Sequence, residues 1–340
     1  MQVEAIELDN TIIKKVCLKH QASRKPLWIT LEKGRADYNL KIIDRFSPFE
    51  AIACEWVLSE VYSEMSQFIV PKRGQCLRVL AADFQEILWN INYLKNIFSS
   101  LEEEIYIQHC LYLRDMLLDL QEMWMGGRVL PQYLTVSGVE RDFTVGIQAK
   151  LQNVLKSFEK DFMSFHNLVH QDHNLLNRMN GVMRLPKEVV QALDLGGLNA
   201  YSCGMASLNH KSYGFYPELE QYSPSSDLIQ NDAKSRFLIA FDWIRFNLIQ
   251  LNKIMTILPE GNFDLKEKPV YEPLLGYFVS KVIAPSGPLY ANYIYKKVSL
   301  SSSSTRLKPF LEQILEGQEY EDLPLAIASL AYDEEQGVLV

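Results

Sequence analysis

The chain is poor in the residues that build metal clusters and covalent crosslinks. It has five cysteines in 340 residues, Cys17, Cys54, Cys76, Cys110 and Cys203, and no two form a C-x-x-C pair. Zinc ribbons and cubane iron–sulfur clusters are therefore disfavoured, and no metal is expected on this chain. An odd number of scattered cysteines fits a reducing compartment. No apolar run approaches the roughly 18 residues of a membrane span. Lysine and arginine form no sustained stripe, and the net charge is −8, so nucleic acid is not an expected partner. The opening MQVEAIELDN is acidic and lacks an apolar stretch, so no signal peptide is expected. The expected location is cytoplasmic, or at a membrane surface through partners.

What is present is ordinary globular material, 48% hydrophobic and 22% charged. IIKKVCL and LWITLEKG, within residues 1–45, read as short strands with Gly34 as a turn. From Pro48 the apolar spacing becomes helical. Pro71 and Gly74 interrupt it, and a long helical region runs from Cys76 to Met125 with a break near Ser99 to Glu104. Leu77, Leu80, Phe84, Ile87, Ile91 and Leu94 spread its apolar surface widely, which places it centrally in a bundle. Thr144 to Leu168 and Asp232 to Ile257 read as further helices, and Leu185 to Leu193 as a short one opened by Pro186. Residues 194–230 read as loop. Gly276 to Val298 reads as two strands about the turn APSG, followed by a loop at LSSSSTR and short helices at Pro309 to Leu315 and Leu323 to Leu330. The expected fold is α+β, a long-helix bundle with small β elements near both termini. The segments are an N-terminal β-rich part (1–45), a helical core (46–260) and a C-terminal β/α part packed on it (261–340).

Two constellations carry possible chemistry. His166, His170 and His173 stand at helical spacing with Asp172 nearby, the geometry of a metal-binding face. A complete site would need distant ligands such as His109 or His210, so the reading kept is a polar helix end favoured by the helix dipole. Asp232 and Arg236, four apart in NDAKSRFLIAFDWI, share a helix face and can pair. The apolar neighbours Phe237, Leu238, Ile239 and Phe241 turn Arg236 inward. Ser202-Cys203-Gly204 has no G-x-S-x-G context and is not read as a nucleophile.

In order along the chain, several stretches resemble the 49-kDa type of subunit (the D type) of NADH:quinone oxidoreductase, respiratory complex I, a family related to the large subunit of nickel–iron hydrogenases. His20-Gln21-Ala22-Ser23-Arg24-Lys25 is similar to H-P-A-x-H-G, with Arg24 in place of the second His. Pro71-Lys72-Arg73-Gly74-Gln75 stands where P-Y-T-D-R would fall, with Lys72 in place of the Tyr. Met123-Trp124-Met125-Gly126-Gly127 resembles the helix end before R-P-G-G, and Leu175-Leu176-Asn177-Arg178 the helix end closed by N-R. Tyr201-Ser202-Cys203-Gly204 is similar to R-A-S-G, and Glu272-Pro273-Leu274-Leu275-Gly276 to E-A-P-R-G-E, each without its Arg. Asp232 and Arg236 match the Asp and first Arg of G-D-x-x-x-R-x-x-x-R, with Ala240 at the second Arg.

The resemblance implies a component of a membrane-associated redox assembly that docks an iron–sulfur subunit and antiporter-like membrane subunits. It implies a quinone at a subunit interface, with His20 and Lys72 as candidate proton donors and Arg24, Asp232 and Arg236 as candidate binding residues. Quinone reduction needs protons at the carbonyl oxygens, and a guanidinium at position 24 cannot relay them. Lys72 can donate if burial lowers its pKa. The hydrogenase branch holds nickel and iron with two C-x-x-C pairs, which this chain lacks. An alternative is a scaffold subunit that has lost the chemistry; another is a helical protein unrelated to complex I.

Overall fold

The computed structural model describes residues 2–19, 31, 36–205, 222–266, 277–294, 297–302 and 304–330. Strands β1 (Gln2–Asp9) and β2 (Ile12–Lys19) form an antiparallel hairpin, with Asn10 in the left-handed region at the turn. The first strand, acidic and irregularly alternating, was not expected from its sequence. LWITLEKG lies almost wholly outside the described residues. After a short helix α1 (Ala36–Leu40) come the helices of the bundle, α2 (Ala51–Ser66), α3 (Lys72–Ser100), α4 (Glu104–Met125) and α5 (Val145–Gln171). Short helices α6 (His173–Arg178), α7 (Lys187–Ala192) and α8 (Gly197–Ser202) lead to α9 (Ala233–Ile257). Helix α8 corrects the reading of residues 194–230 as loop throughout.

The breaks follow local chemistry. Helix α4 stops at Gly126, whose φ of 89° suits glycine. The Thr144 side chain accepts from the Ile147 N–H to open α5, and Asp172 accepts from Leu175 N–H to open α6. Helix α3 is the axis of the molecule and packs against α2, α4 and α9. It is buried nearly all round, because acids and amides as well as aliphatic residues point inward from it. Phe98, Phe165, Phe237 and Phe241 join α3, α5 and α9 through ring contacts of 5.3 to 5.9 Å.

Strands β3 (Tyr277–Ala284), β4 (Gly287–Ile294) and β5 (Lys297–Ser302) form an antiparallel sheet in that order, packed on α2. The third strand runs three residues into the expected serine loop, because Leu300 and Ser302 turn inward and pair with β4. Helices α10 (Leu311–Leu315) and α11 (Leu323–Ser329) complete the described chain. Glu312 of α10 accepts from Leu18 N–H of β2, tying the N-terminal hairpin to the C-terminal segment. Buried residues of both sheets and all long helices belong to one hydrophobic core. No helix among the described residues is long and apolar enough to cross a membrane.

Candidate functional site

Asp232 and Arg236 occupy one buried turn at the start of α9. Asp232 is the N-cap residue: Oδ1 accepts from the N–H and hydroxyl of Ser235 at 2.8 and 2.7 Å, and Oδ2 from Gly181 N–H at 2.8 Å. The expected direct pair is not formed, since among the described residues no ion pair within 4 Å joins the two. The cap needs the carboxylate, and Arg236 reaches elsewhere. Its Nε donates to the Ser329 carbonyl (2.8 Å), Nη1 to the Asn231 carbonyl (3.0 Å), and Nη2 to the Met183 carbonyl (2.7 Å) and Ser329 hydroxyl (2.9 Å). Four of the five guanidinium donors are thus engaged by protein. Burial pushes the Arg236 pKa down, and Tyr93 and Asp232 oppose that shift. The arrangement braces α9 against α11 and the loop before α7.

Lys72 is the first residue of α3 and is exposed. Helices α3 and α9 run antiparallel, with Phe98 against Phe237 and Glu86 against Asn247. Lys72 and Arg236 therefore lie at opposite ends of the pair, roughly 40 Å apart at 1.5 Å per residue. The structure does not bring them together. His20 and Arg24 lie outside the described residues. Beside Lys72, Arg73 staples three segments: it donates to Asp142 at 2.7 Å, to the Pro259 carbonyl at 2.8 Å and to the Phe143 carbonyl at 3.0 Å.

A cleft of about 340 Å³ opens next to this end of α3, lined among others by Asp37, Lys41, Gln132, Ser137, Asp264 and Lys266. Sequence reasoning missed it. Its wall requires glycine: a Cβ on Gly138 would lie 2.1 Å from the Phe263 carbonyl oxygen, and one on Gly74 2.4 Å from the same atom. Arg78, 1% exposed, holds the loop beneath by donating to the Thr135 and Gly138 carbonyls, with Glu60 as its ion-pair partner at 3.0 Å. Glu55 holds the loop from the other side, accepting from the Tyr133 and Leu134 N–H groups at 2.8 Å each. Burial, with a contribution from Asp44, pushes the Glu55 pKa up to about 8; burial alone carries that of Asp44 up to about 6 against several opposing contacts.

The histidine face has a different form from a chelating one. His166 and His170 are half-buried and stack with centroids 3.8 Å apart, while His173 is exposed on the next helix. Burial lowers the pKa of both stacked rings. His109 packs on Phe165. Among the described residues no three His, Cys, Asp or Glu side chains group in a way that could hold a metal. Cys203 is buried, with its thiol directed at the Leu185 carbonyl and its pKa pushed up by burial.

The family model of the respiratory-chain NADH dehydrogenase 49 Kd subunit matches residues 106–282. The chain is similar to a D-type NADH-quinone oxidoreductase subunit of Roseiflexus sp. (strain RS-1), 26% identical over 222 residues, which are 64% of this chain and 58% of that protein. The corresponding protein of Carboxydothermus hydrogenoformans is 23% identical over 222 residues, 65% of this chain and 60% of that one. The matched region thus spans about three fifths of these relatives. Among solved structures, a chain of the membrane-bound sulfane sulfur reductase, an archaeal respiratory membrane complex, superposes with a TM-score of 0.87 at 20% identity, covering 97% of this chain and 93% of that one. That likeness extends the shared fold over both sheets as well as the bundle.

Proposed function

The chain belongs to the family of the 49 kDa subunit of respiratory-chain NADH dehydrogenase, and from that premise we propose that it serves as a peripheral subunit of a complex I-like assembly at the inner face of the cell membrane. In this reading it docks an iron–sulfur subunit, which carries the electrons, and is held to the membrane through antiporter-like subunits. The observation that carries the reading is the 97% coverage by a chain of a membrane-bound respiratory complex, in a protein whose described helices include none able to cross a membrane.

A quinone would meet this chain at the interface with its iron–sulfur partner. Lys72 is the first candidate donor and His20 the second, with Arg24 a candidate binding residue. An ammonium works as a donor near neutral pH only when burial or a positive neighbour lowers its pKa. Lys72 is exposed in this chain, so the partner must supply the burial. The scaffold reading, docking without quinone chemistry, is favoured by Arg236, whose donors are occupied by backbone and serine rather than aimed at a ligand site.

The test is affinity purification of the tagged full chain from detergent-solubilised membranes of its own cells. Co-purification of an iron–sulfur subunit and integral membrane subunits is expected. A chain recovered alone from the soluble fraction would overturn the assembly reading. Quinone-dependent turnover of the recovered complex separates the redox subunit from the scaffold.

A further inference from the structure

The interface between α3 and α9 carries a line of polar side chains through the apolar core. On α3 it comprises Asp83, Glu86 and Asn90, all under 5% exposed; on α9 it comprises Trp243, Asn247 and Gln250, all at 1% or less. The spacings are three and four on α3 and four and three on α9, so each set occupies one helix face. Glu86 Oε2 accepts from Asn247 Nδ2 at 2.9 Å and fixes the register. Because the helices are antiparallel, one turn earlier on α3 corresponds to one turn later on α9. Asp83 therefore comes opposite Gln250, and Asn90 opposite Trp243. Among the described residues, neither amide atom of Gln250 has a hydrogen-bond partner, nor has the carbonyl oxygen of Asn90 or of Asn247. A buried amide left without partners is costly, so groups of this kind are normally satisfied by ordered water or a bound species.

We propose that this seam is a buried proton site, in which Asp83 and Glu86 hold at least one proton in the folded protein and internal water links them to Gln250 and Asn90. The proton comes from solvent: a carboxylate oxygen forms the O–H bond and hydronium is left as water. The donor set argues for proton and water over a metal cation. Trp243 and Gln250 bring N–H groups to the same seam, and N–H groups repel a cation while they hydrogen-bond to water or a carboxyl oxygen. Burial raises both carboxyls, Glu86 to about 8 against the opposing contacts of Asn247 and Trp243, and Asp83 with an added upward push from Glu86 beside it. Other charged groups on α3 and the segments packed against it have their own contacts. Arg78 is engaged by Glu60 and loop carbonyls, and Glu50 accepts from Ser286 N–H at 2.7 Å. Further along α3 and α4, Lys95 and Arg114 face one another, and Arg114 adds to burial in disfavouring the charged form of Lys95.

Infrared difference spectroscopy of the full chain at neutral pH tests this directly. The carbonyl-stretch region should show protonated carboxyl signal that shifts in deuterium oxide. Glu86→Gln and Asp83→Asn should each remove part of it, with the fold checked by circular dichroism. Gln250→Leu should leave the intensity and shift the frequency, because the amide and its water leave the carboxyl environment. If Glu86→Gln does not fold, Asp83→Asn and Gln250→Leu decide. Signal unchanged in both intensity and frequency by both carboxyl variants would mean that the pair is ionised, and would overturn the proposal. So would loss of the signal on replacing choline chloride with sodium chloride at constant pH, which would make a cation the occupant.

Discussion

Arg236 and Ser329 lie 93 positions apart in sequence and are joined twice, guanidinium Nε to backbone carbonyl at 2.8 Å and Nη2 to hydroxyl at 2.9 Å. Ser329 also accepts from the Tyr93 hydroxyl through its carbonyl at 3.1 Å. One short C-terminal helix is thereby pinned to both helices of the central pair. Arg236→Ala should lower stability by on the order of 1–3 kcal/mol, since it leaves the buried Met183 carbonyl without its donor and takes one of two donors from the Asn231 and Ser329 carbonyls. Arg236→Lys should recover little of it, because an ammonium cannot reproduce the fork. Urea unfolding reads both, and a midpoint equal to wild type would show that the brace contributes nothing.

Gly138→Ala should destabilise by about 1–3 kcal/mol, the usual cost of forcing extra volume into a packed site. The new Cβ would stand 2.1 Å from the Phe263 backbone oxygen, and no side-chain rotation relieves a backbone contact. Thermal unfolding checks it, with Gly146→Ala, where a Cβ meets nothing within 4 Å, as the matched control.

Glu55 gives a pH dependence of defined sign. Its folded pKa of about 8 stands above the ordinary value of 4.5 expected in the unfolded chain. Between those values the unfolded state releases the proton and the folded state keeps it. The stability contribution is therefore fully present below pH 4.5 and is lost as pH rises towards 8, by up to about 1.4 kcal/mol per pH unit. Glu55→Gln keeps an acceptor for Tyr133 and Leu134 and should flatten this slope. Denaturant midpoints measured between pH 5 and pH 8, at roughly one-unit steps, decide the matter; parallel slopes in the two proteins would rule it out.

Lys72→Met should abolish quinone-dependent turnover in the purified assembly while leaving its subunit composition intact, because a thioether cannot donate a proton. Unchanged turnover would remove Lys72 from the chemistry and shift attention to His20.

The purified chain should carry no stoichiometric nickel, iron or zinc. Elemental analysis finding about one metal per chain, lost on His170→Ala, would assign the stacked histidines a ligand role.

Helix α9 was legible in the sequence because an N-cap aspartate precedes an apolar run of helical period, and Phe237 and Phe241 close after Arg236 signalled that it points inward. The long helical region and its interruption near Ser100 were legible for the same reason. Strand β1 was not, since its alternation is broken by two register irregularities and its acids suggest a solvated tail. The cleft was invisible because Lys41, Ser137 and Asp264 come from three segments whose meeting depends on Gly74 and Gly138 passing close to one backbone oxygen. Asp83 and Glu86 were hidden by their spacing, which on most helices denotes a wet face.

The polar seam also bears on how two long, largely aliphatic helices find a single alignment. A slide of one turn moves α9 by about 5.4 Å along α3, and leucine and isoleucine surfaces alone would tolerate many such slides. With the seam in place, a slide that carries Glu86 one turn along α9 would press it against Leu251 and leave Asn247 facing aliphatic carbon. Replacing the six residues with well-packed apolar ones would be expected to raise the melting temperature and broaden the set of packings the pair can adopt. The seam thus works like the notches of a key, giving up some stability so that the ends of the bundle come to rest at one relative height.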